Sequence, residues 1–239
     1  MTKSKIIVTL ITLAIVLFTG IRNDIYAQSK KYEIVTIKTK YGEVKAVLYN
    51  KTPKHKANFI KLVNDKFYDN TLFHRVIKNF MIQGGDPNSK DINNTKPLGS
   101  GDVGYKIPAE ILPELFHKKG ALAAARDGNP EKASSGCQFY IVQGKIWPEA
   151  ELENQIKRSG RPFTEQQKIV YKTLGGSPHL DGNYTVFGEI VSGIALVDSI
   201  ANQPNGPRDK PITDVAMSMT SKKIKKRKIY KKYGVNIVD

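Results

Sequence analysis

Apolar and polar residues alternate with a period of two over several short stretches, which predicts a mainly β protein. Tyr32 to Thr39 reads as a half-buried strand, Tyr41-Gly42 turns it, and Glu43 to Tyr49 alternates again with Val44, Ala46 and Leu48 on one face, completing a hairpin. Thr52-Pro53 supplies an N-cap and a proline suited to a first helical position. Ala57, Ile60, Leu62 and Val63 then give an apolar helical stripe that ends near Lys66. From Phe73 to Ile77 alternation returns, with Phe73, Arg75 and Ile77 on one face and His74 and Val76 on the other. Lys78-Asn79 breaks the strand, Met81 and Gln83 share a face, and Gly84-Gly85-Asp86-Pro87 is a turn.

Asp91 to Lys96 and the glycines at 99, 101 and 104 read as loop. Ala121 to Ala125 has high helix propensity, yet Gly120 before it and Asp127-Gly128-Asn129-Pro130 after it also fit a short strand, and both readings stand. Cys137 to Val142 is a strand with Gln138 and Tyr140 on one face. Between Trp147 and Gly175 the period changes. Leu152, Ile156, Phe163, Ile169, Val170 and Leu174 are spaced for helices, and so short a stretch predicts an inserted helical excursion (147–175) without a core of its own. Tyr184 to Ile190 is a strand, Gly193 to Ala201 a short amphipathic helix, and Ile212 to Met219 a last strand. About eight strands with two flanking helices suit a closed eight-stranded antiparallel β-barrel capped by two α-helices, because closure leaves no free edge.

Composition adds limits. The 239 residues suffice for one large domain or two small ones, and a hydrophobic content of 40% suits a globular protein with a real core. Of the +16 net charge, eight cations lie between Lys222 and Lys232 with no acid among them. Such a tail, 220–239, attracts anions non-specifically or is simply solvated; with only Tyr230 and Tyr233 beside it, no specific nucleic-acid site is expected. Cys137 is the one cysteine and cannot form an internal disulfide. His55, His74, His117 and His179 are scattered, so no metal is expected. Residues 1–27 have the form of a signal peptide: Lys3 and Lys5, a 13-residue run of apolar residues and Thr from Ile6 to Phe18, and Ala27 before a cut. The expectation is an exported, periplasmic protein that starts near Gln28, with an uncleaved inner-membrane anchor through 6–20 as the alternative. The main domain is then 28–219.

Arg75, set among Phe73, Phe80, Met81 and Gln83, is either a snorkelling surface cation or the polar point of an apolar peptide groove. Three stretches bear on the choice. Phe73-His74-Arg75-Val76-Ile77 with Phe80-Met81-Ile82-Gln83-Gly84-Gly85-Asp86 resembles the signature of the cyclophilins. Ser135 to Ile141 resembles that family's second site strand, and Leu180-Asp181-Gly182-Asn183-Tyr184-Thr185-Val186-Phe187-Gly188 its third motif, all in the family's order between about Tyr32 and Met219.

The resemblance implies an eight-stranded barrel capped by a helix at each end and peptidyl-prolyl cis-trans isomerase activity on proline-containing polypeptides, a reaction that requires no cofactor, metal or covalent intermediate. With the export pattern, the expectation is a monomer that assists folding of exported proteins. A proline-peptide-binding chaperone module with little turnover is the alternative. Position by position, Arg75 matches the catalytic arginine, while Phe80, Met81, Tyr140 and Leu180 match the walls of the proline pocket. Gln83 and Gln138 match groups that hold the substrate backbone, and Ala125 and Arg126 a segment whose main chain pairs with the peptide. Tyr184 stands where many relatives have His, Tyr140 where Phe is usual, which would put a hydroxyl at the pocket rim, and His179 where several relatives have Trp. The side chain of Arg126 is expected to be exposed, and His74 to be a satisfied interior residue.

Overall fold

The structure, a computed structural model, describes residues 30–235 and 237; the segment read as a signal peptide lies outside them. Among the described residues no helix is long and apolar enough to cross a membrane. The strands are β1 (Lys31–Thr39), β2 (Gly42–Leu48), β3 (Phe73–Ile77), β4 (Met81–Gly84), β5 (Lys106–Ile107), β6 (Ala121–Ala124), β7 (Ser134–Ser135), β8 (Phe139–Val142), β9 (Val186–Ser192) and β10 (Met217–Lys225). The helices are α1 (Pro53–Asn64), α2 (Glu149–Ser159), α3 (Glu165–Thr173), α4 (Ile194–Ala201) and α5 (Lys226–Tyr233).

Eight strands form one sheet in the order β10-β1-β2-β9-β6-β8-β4-β3, and β5 pairs with β7 in a separate ribbon. The alanine-rich stretch is the strand β6, held between β8 and β9, so tertiary pairing overrides its helix propensity. Val35, Ile37, Val44, Ala46 and Leu48 share the core with Phe59, Leu62 and Val63 of α1 and Val197, Ile200 and Ala201 of α4. The buried face of α1 is His55, Phe59, Leu62 and Val63, so the stripe is rotated from the one the sequence suggested and Ala57 is exposed.

The sheet is mainly antiparallel and curled but open, which corrects the expected closed barrel. Its edges are β10 and β3. They approach where the chain leads into them, through a bridge between Leu72 and Ala216 and bonds from Phe73 N to Val215 O, from Met217 N to Thr71 O and from Asn70 N to Met217 O, all 2.9 Å. Beyond that point a turn, not a strand, borders β3: the Asn205 side chain donates to Val76 O at 2.6 Å. Pro204, Pro207 and Pro211 lie in that segment and have no N–H to give a ladder. The sheet therefore stays open beside Arg75.

The last strand also differs from expectation. β10 begins at Met217, not Ile212, and runs through Lys225 into α5, so much of the basic tail is regular structure. Lysines on an edge strand oppose further strand pairing, which suits Lys222, Lys223 and Lys225 to that position. The insertion forms α2 and α3. Thr164 and Gln167 make a capping box at the start of α3, and Leu152, Phe163 and Tyr171 form a small cluster that also recruits Phe116 and Trp147 from its margins.

Thr52 sits at the N-cap of α1, yet its buried hydroxyl makes no hydrogen bond among the described residues. Glu110 takes the capping role from a distance, accepting from Lys54 N at 3.0 Å and His55 N at 2.9 Å. The same carboxylate meets His55 Nδ1 at 2.7 Å, and His55 Nε2 lies 3.0 Å from Ser134 Oγ. His74 is interior as expected; among the described residues its ring nitrogens make no hydrogen bond of normal geometry, and the ring's one polar main-chain contact is a weak one with Leu72.

Burial lowers the pKa of both His55 and His74, against the opposing pull of Glu110 on the first and Asp86 on the second. Their folded values thus lie below the unfolded value of about 6.5. Below that pH the unfolded chain binds protons that the folded one refuses, so stability falls as the solution is acidified. The slope is at most about 1.4 kcal/mol per pH unit per histidine. Melting temperature is expected to drop between pH 7 and 5, and His74→Leu should shallow that drop; identical profiles for the two proteins would exclude His74 as a contributor.

Candidate active site

Strand register assembles the site. Arg75 of β3 stands opposite Gln83 of β4, and Gln83 opposite Tyr140 of β8, so one row crosses three strands. The next strand, β6, continues the row at Ala123 and delivers the chain to Ala125 and Arg126. Asn79, with φ of 62°, turns the chain between β3 and β4 and sets Phe80 and Met81 at the near end. Leu180 comes from a 3-10 turn at Pro178–Leu180 and Tyr184 from the loop into β9.

These nine residues line one pocket of about 200 Å³: polar Arg75 and Gln83, the large side chains of Phe80, Met81, Tyr140 and Leu180, and Ala125, Arg126 and Tyr184. Gln138 is the tenth predicted site residue. It lines an adjoining cleft and reaches the pocket through Gln83, whose Nε2 donates to Gln138 Oε1 at 3.0 Å.

A chain of hydrogen bonds fixes the arginine. Arg75 Nη1 donates to Gln83 Oε1 at 3.4 Å and Nε to Asp209 Oδ2 at 3.3 Å. Gln138 Nε2 is anchored to Gly99 O at 2.9 Å and Gly101 O at 2.8 Å. That loop is held by buried Asp86, which accepts from Gly99 N, from Gly101 N at 3.4 Å and from Asn88 N at 2.7 Å. The turn that ends the signature stretch thus orients the arginine four links away.

Gly101 allows this approach, since a Cβ there would fall 2.0 Å from Asp86 Oδ1. Gly101→Ala is expected to displace the loop, loosen Gln138 and Gln83, and raise KM for a proline peptide several-fold while kcat changes less. The KM and kcat of that variant in a prolyl-isomerisation assay check it; an unchanged KM would disconnect the loop from the site.

Main-chain groups divide unequally. Ala125 N donates to Gln138 O at 3.0 Å and Ala125 O accepts from Ser135 N at 2.8 Å, whereas the N–H and C=O of Arg126 have no partner among the described residues. Arg126 therefore carries the main-chain groups free to meet a peptide. Its side chain is half-buried rather than exposed: Nε donates to Asn183 O at 2.8 Å, and Cζ lies 4.9 Å from the centre of the Tyr184 ring.

The Tyr140 hydroxyl is not at the pocket rim. It points inward to His117 Nε2 at 2.9 Å, and burial pushes its pKa well up, which keeps it a donor. His117 Nδ1 meets Asp181 Oδ1 at 2.8 Å, the tautomer this arrangement satisfies, and the other Asp181 oxygen accepts from Tyr171 OH at 2.7 Å. The insertion thus reaches the pocket wall through three bonds. His179 packs its ring 5.2 Å from that of Phe80. Cys137 lies in the core, away from the pocket, and burial raises its thiol pKa to about 11.

Sequence reasoning missed Asp209, His117, Asp181 and Tyr171 as site residues. Only Asp181 carried a signal, as neighbour of Leu180 in the third motif.

Comparison with known proteins gives the frame for this geometry. Residues 34–222 match the family described as cyclophilin type peptidyl-prolyl cis-trans isomerase/CLD. A protein of Staphylococcus aureus that carries the name peptidyl-prolyl cis-trans isomerase is 38% identical over 186 residues, covering 77% of this chain and 88% of its own. A Streptococcus pyogenes protein named as a bifunctional phosphatase/peptidyl-prolyl cis-trans isomerase is 39% identical over 184 residues, 76% of this chain but only 37% of its own length. A Cryptosporidium parvum cyclophilin crystallised in the presence of the dipeptide Ala-Pro superposes with a TM-score of 0.59 at 28% identity, over 78% of this chain and 96% of that one. The chain belongs to the cyclophilin-type peptidyl-prolyl cis-trans isomerases, a family of enzymes.

Proposed function

We propose that the pocket holds the ring of a substrate proline and that Arg75 accelerates rotation about the peptide bond before it. One observation carries this reading: a guanidinium fixed at two of its five N–H groups beside an apolar pocket of about 200 Å³, with the other three left for a ligand. Rotation of an amide faces a barrier of ~18–20 kcal/mol, and twisting it localises a lone pair on the prolyl nitrogen. A permanently charged, rigid donor stabilises the twisted state more than the planar one, and that difference is what lowers the barrier. The Arg126 main chain supplies a donor and an acceptor to align the peptide. No proton transfer is needed, so Tyr184 in place of a histidine costs the reaction nothing.

The substrates are polypeptides outside the cytoplasm, a reading supported by the signal-like pattern of residues 1–27, and the protein works on them as a monomer. The basic residues from Lys222 to Lys232 add non-specific attraction to anions. The test is exchange between cis and trans isomers of a short X–Pro peptide, which normally takes tens to hundreds of seconds. Catalytic amounts of protein are expected to shorten it. Peptide binding without acceleration would replace the enzyme by a proline-peptide clamp.

A further inference from the structure

The open edge of β3 borders a second cleft, larger than the proline pocket, of about 880 Å³. Arg75 and Gln83 line both, so the two spaces are continuous at the guanidinium. One wall is Lys96, Pro97 and Leu98, and the facing wall runs from Gly206 to Ile212. Both walls carry apolar side chains, Pro97 and Leu98 on one and Pro207, Pro211 and Ile212 on the other, and Ile212 is 71% exposed.

Charge in the cleft is one-sided once internal pairs are removed. Asp209 is taken by Arg75 at 3.3 Å and Lys210 by Asp214 at 3.0 Å. The Lys96 ammonium and the Arg208 guanidinium, both on exposed residues, have no partner among the described residues. Arg208 is moreover held with φ of 59°, a backbone setting rare for a branched or long side chain, in the turn that replaces a strand here.

We propose that this cleft is a subsite for the polypeptide flanking the proline and that it selects an acidic residue, Asp or Glu, whose carboxylate meets Lys96 and Arg208. The proposal rests on the isomerase reading for its occupant. A polypeptide seated at Arg75 has two ways to leave the pocket, and this one offers apolar walls for its stem and two free cations for its end. A space of this volume is roughly 10 Å across, about three residues of extended chain at ~3.3 Å each, which places the acid within three positions of the proline.

A panel of Ala-Pro peptides with a single Glu, Gln or Lys at each of the three positions on either side decides it. kcat/KM comes from isomer exchange, and affinity from the anisotropy of labelled copies. At one position or more, Glu should exceed Gln by about threefold to tenfold, the scale of two partly exposed ion pairs, with Lys below both. The Glu/Gln ratio should fall to about one in the double variant Lys96→Gln/Arg208→Gln, and shrink in ~0.5 M salt for wild type. A ratio of one at every position in the wild type, or a ratio that survives in the double variant, overturns the subsite. If no peptide is accelerated at all, the isomerase reading fails instead, and the anisotropy of the same Glu and Gln peptides still decides the subsite.

Discussion

Arg75→Ala is expected to lower kcat/KM for an X–Pro peptide by about 10²–10³-fold, the loss typical of removing one pre-oriented donor at a developing charge. The Arg75 side chain is 41% exposed and that of its ion-pair partner Asp209 46%, so the fold loses no more than ~1 kcal/mol. A large kinetic effect with a nearly unchanged melting temperature therefore separates catalysis from collapse of the site. Arg75→Lys sharpens the test. Lysine keeps the charge but not the planar fork that reaches Asp209, Gln83 and the substrate together, so it should recover little of the lost rate. Wild-type kcat/KM in Arg75→Ala would remove this residue from the mechanism and leave the pocket as a binding site alone.

Strand alternation was enough to see part of this site. A period of two places Arg75 with Ile77, Met81 with Gln83, and Gln138 with Tyr140, and the ladder then brings Arg75, Gln83 and Tyr140 into one row. What alternation cannot supply is the partner on another part of the chain. Arg75 and Asp209 are 134 positions apart, and nothing near Asp209 marks it as the group that steadies an arginine. The same holds for Asp86, which reads locally as a turn residue and acts by gathering the amides of Gly99 and Gly101. It holds again for Glu110, whose capping of α1 displaced the role assigned to neighbouring Thr52. The open edge was illegible for a related reason. Counting strands suggests closure, but whether the last strand meets the β3 edge depends on where the proline-rich segment before it runs, and strand counting does not contain that.

Asp181→Ala is expected to cost about 3–5 kcal/mol, the usual loss when one partner of a buried charged network is removed. Asp181 accepts from His117 N at 2.9 Å, His117 Nδ1 at 2.8 Å and Tyr171 OH at 2.7 Å, and all three donors are buried. Deleting the carboxylate strands them together. For a protein of this size each kcal/mol moves the midpoint by roughly 2–4 °C, so the melting temperature should fall by about 10 °C. The kinetic signature follows from the position of Asp181, next to Leu180 in sequence and joined through His117 to Tyr140. Both neighbours are pocket walls, so KM for a proline peptide should rise several-fold while kcat in the folded fraction changes less, Arg75 being held from the opposite side by Gln83 and Asp209. Tyr171→Phe separates the two consequences. It removes one hydrogen bond, worth ~1 kcal/mol, and leaves the carboxylate facing His117. It should therefore shift stability slightly and move KM in the same direction as Asp181→Ala. If Tyr171→Phe leaves KM at the wild-type value, the helical insertion supports the fold without reaching the proline pocket.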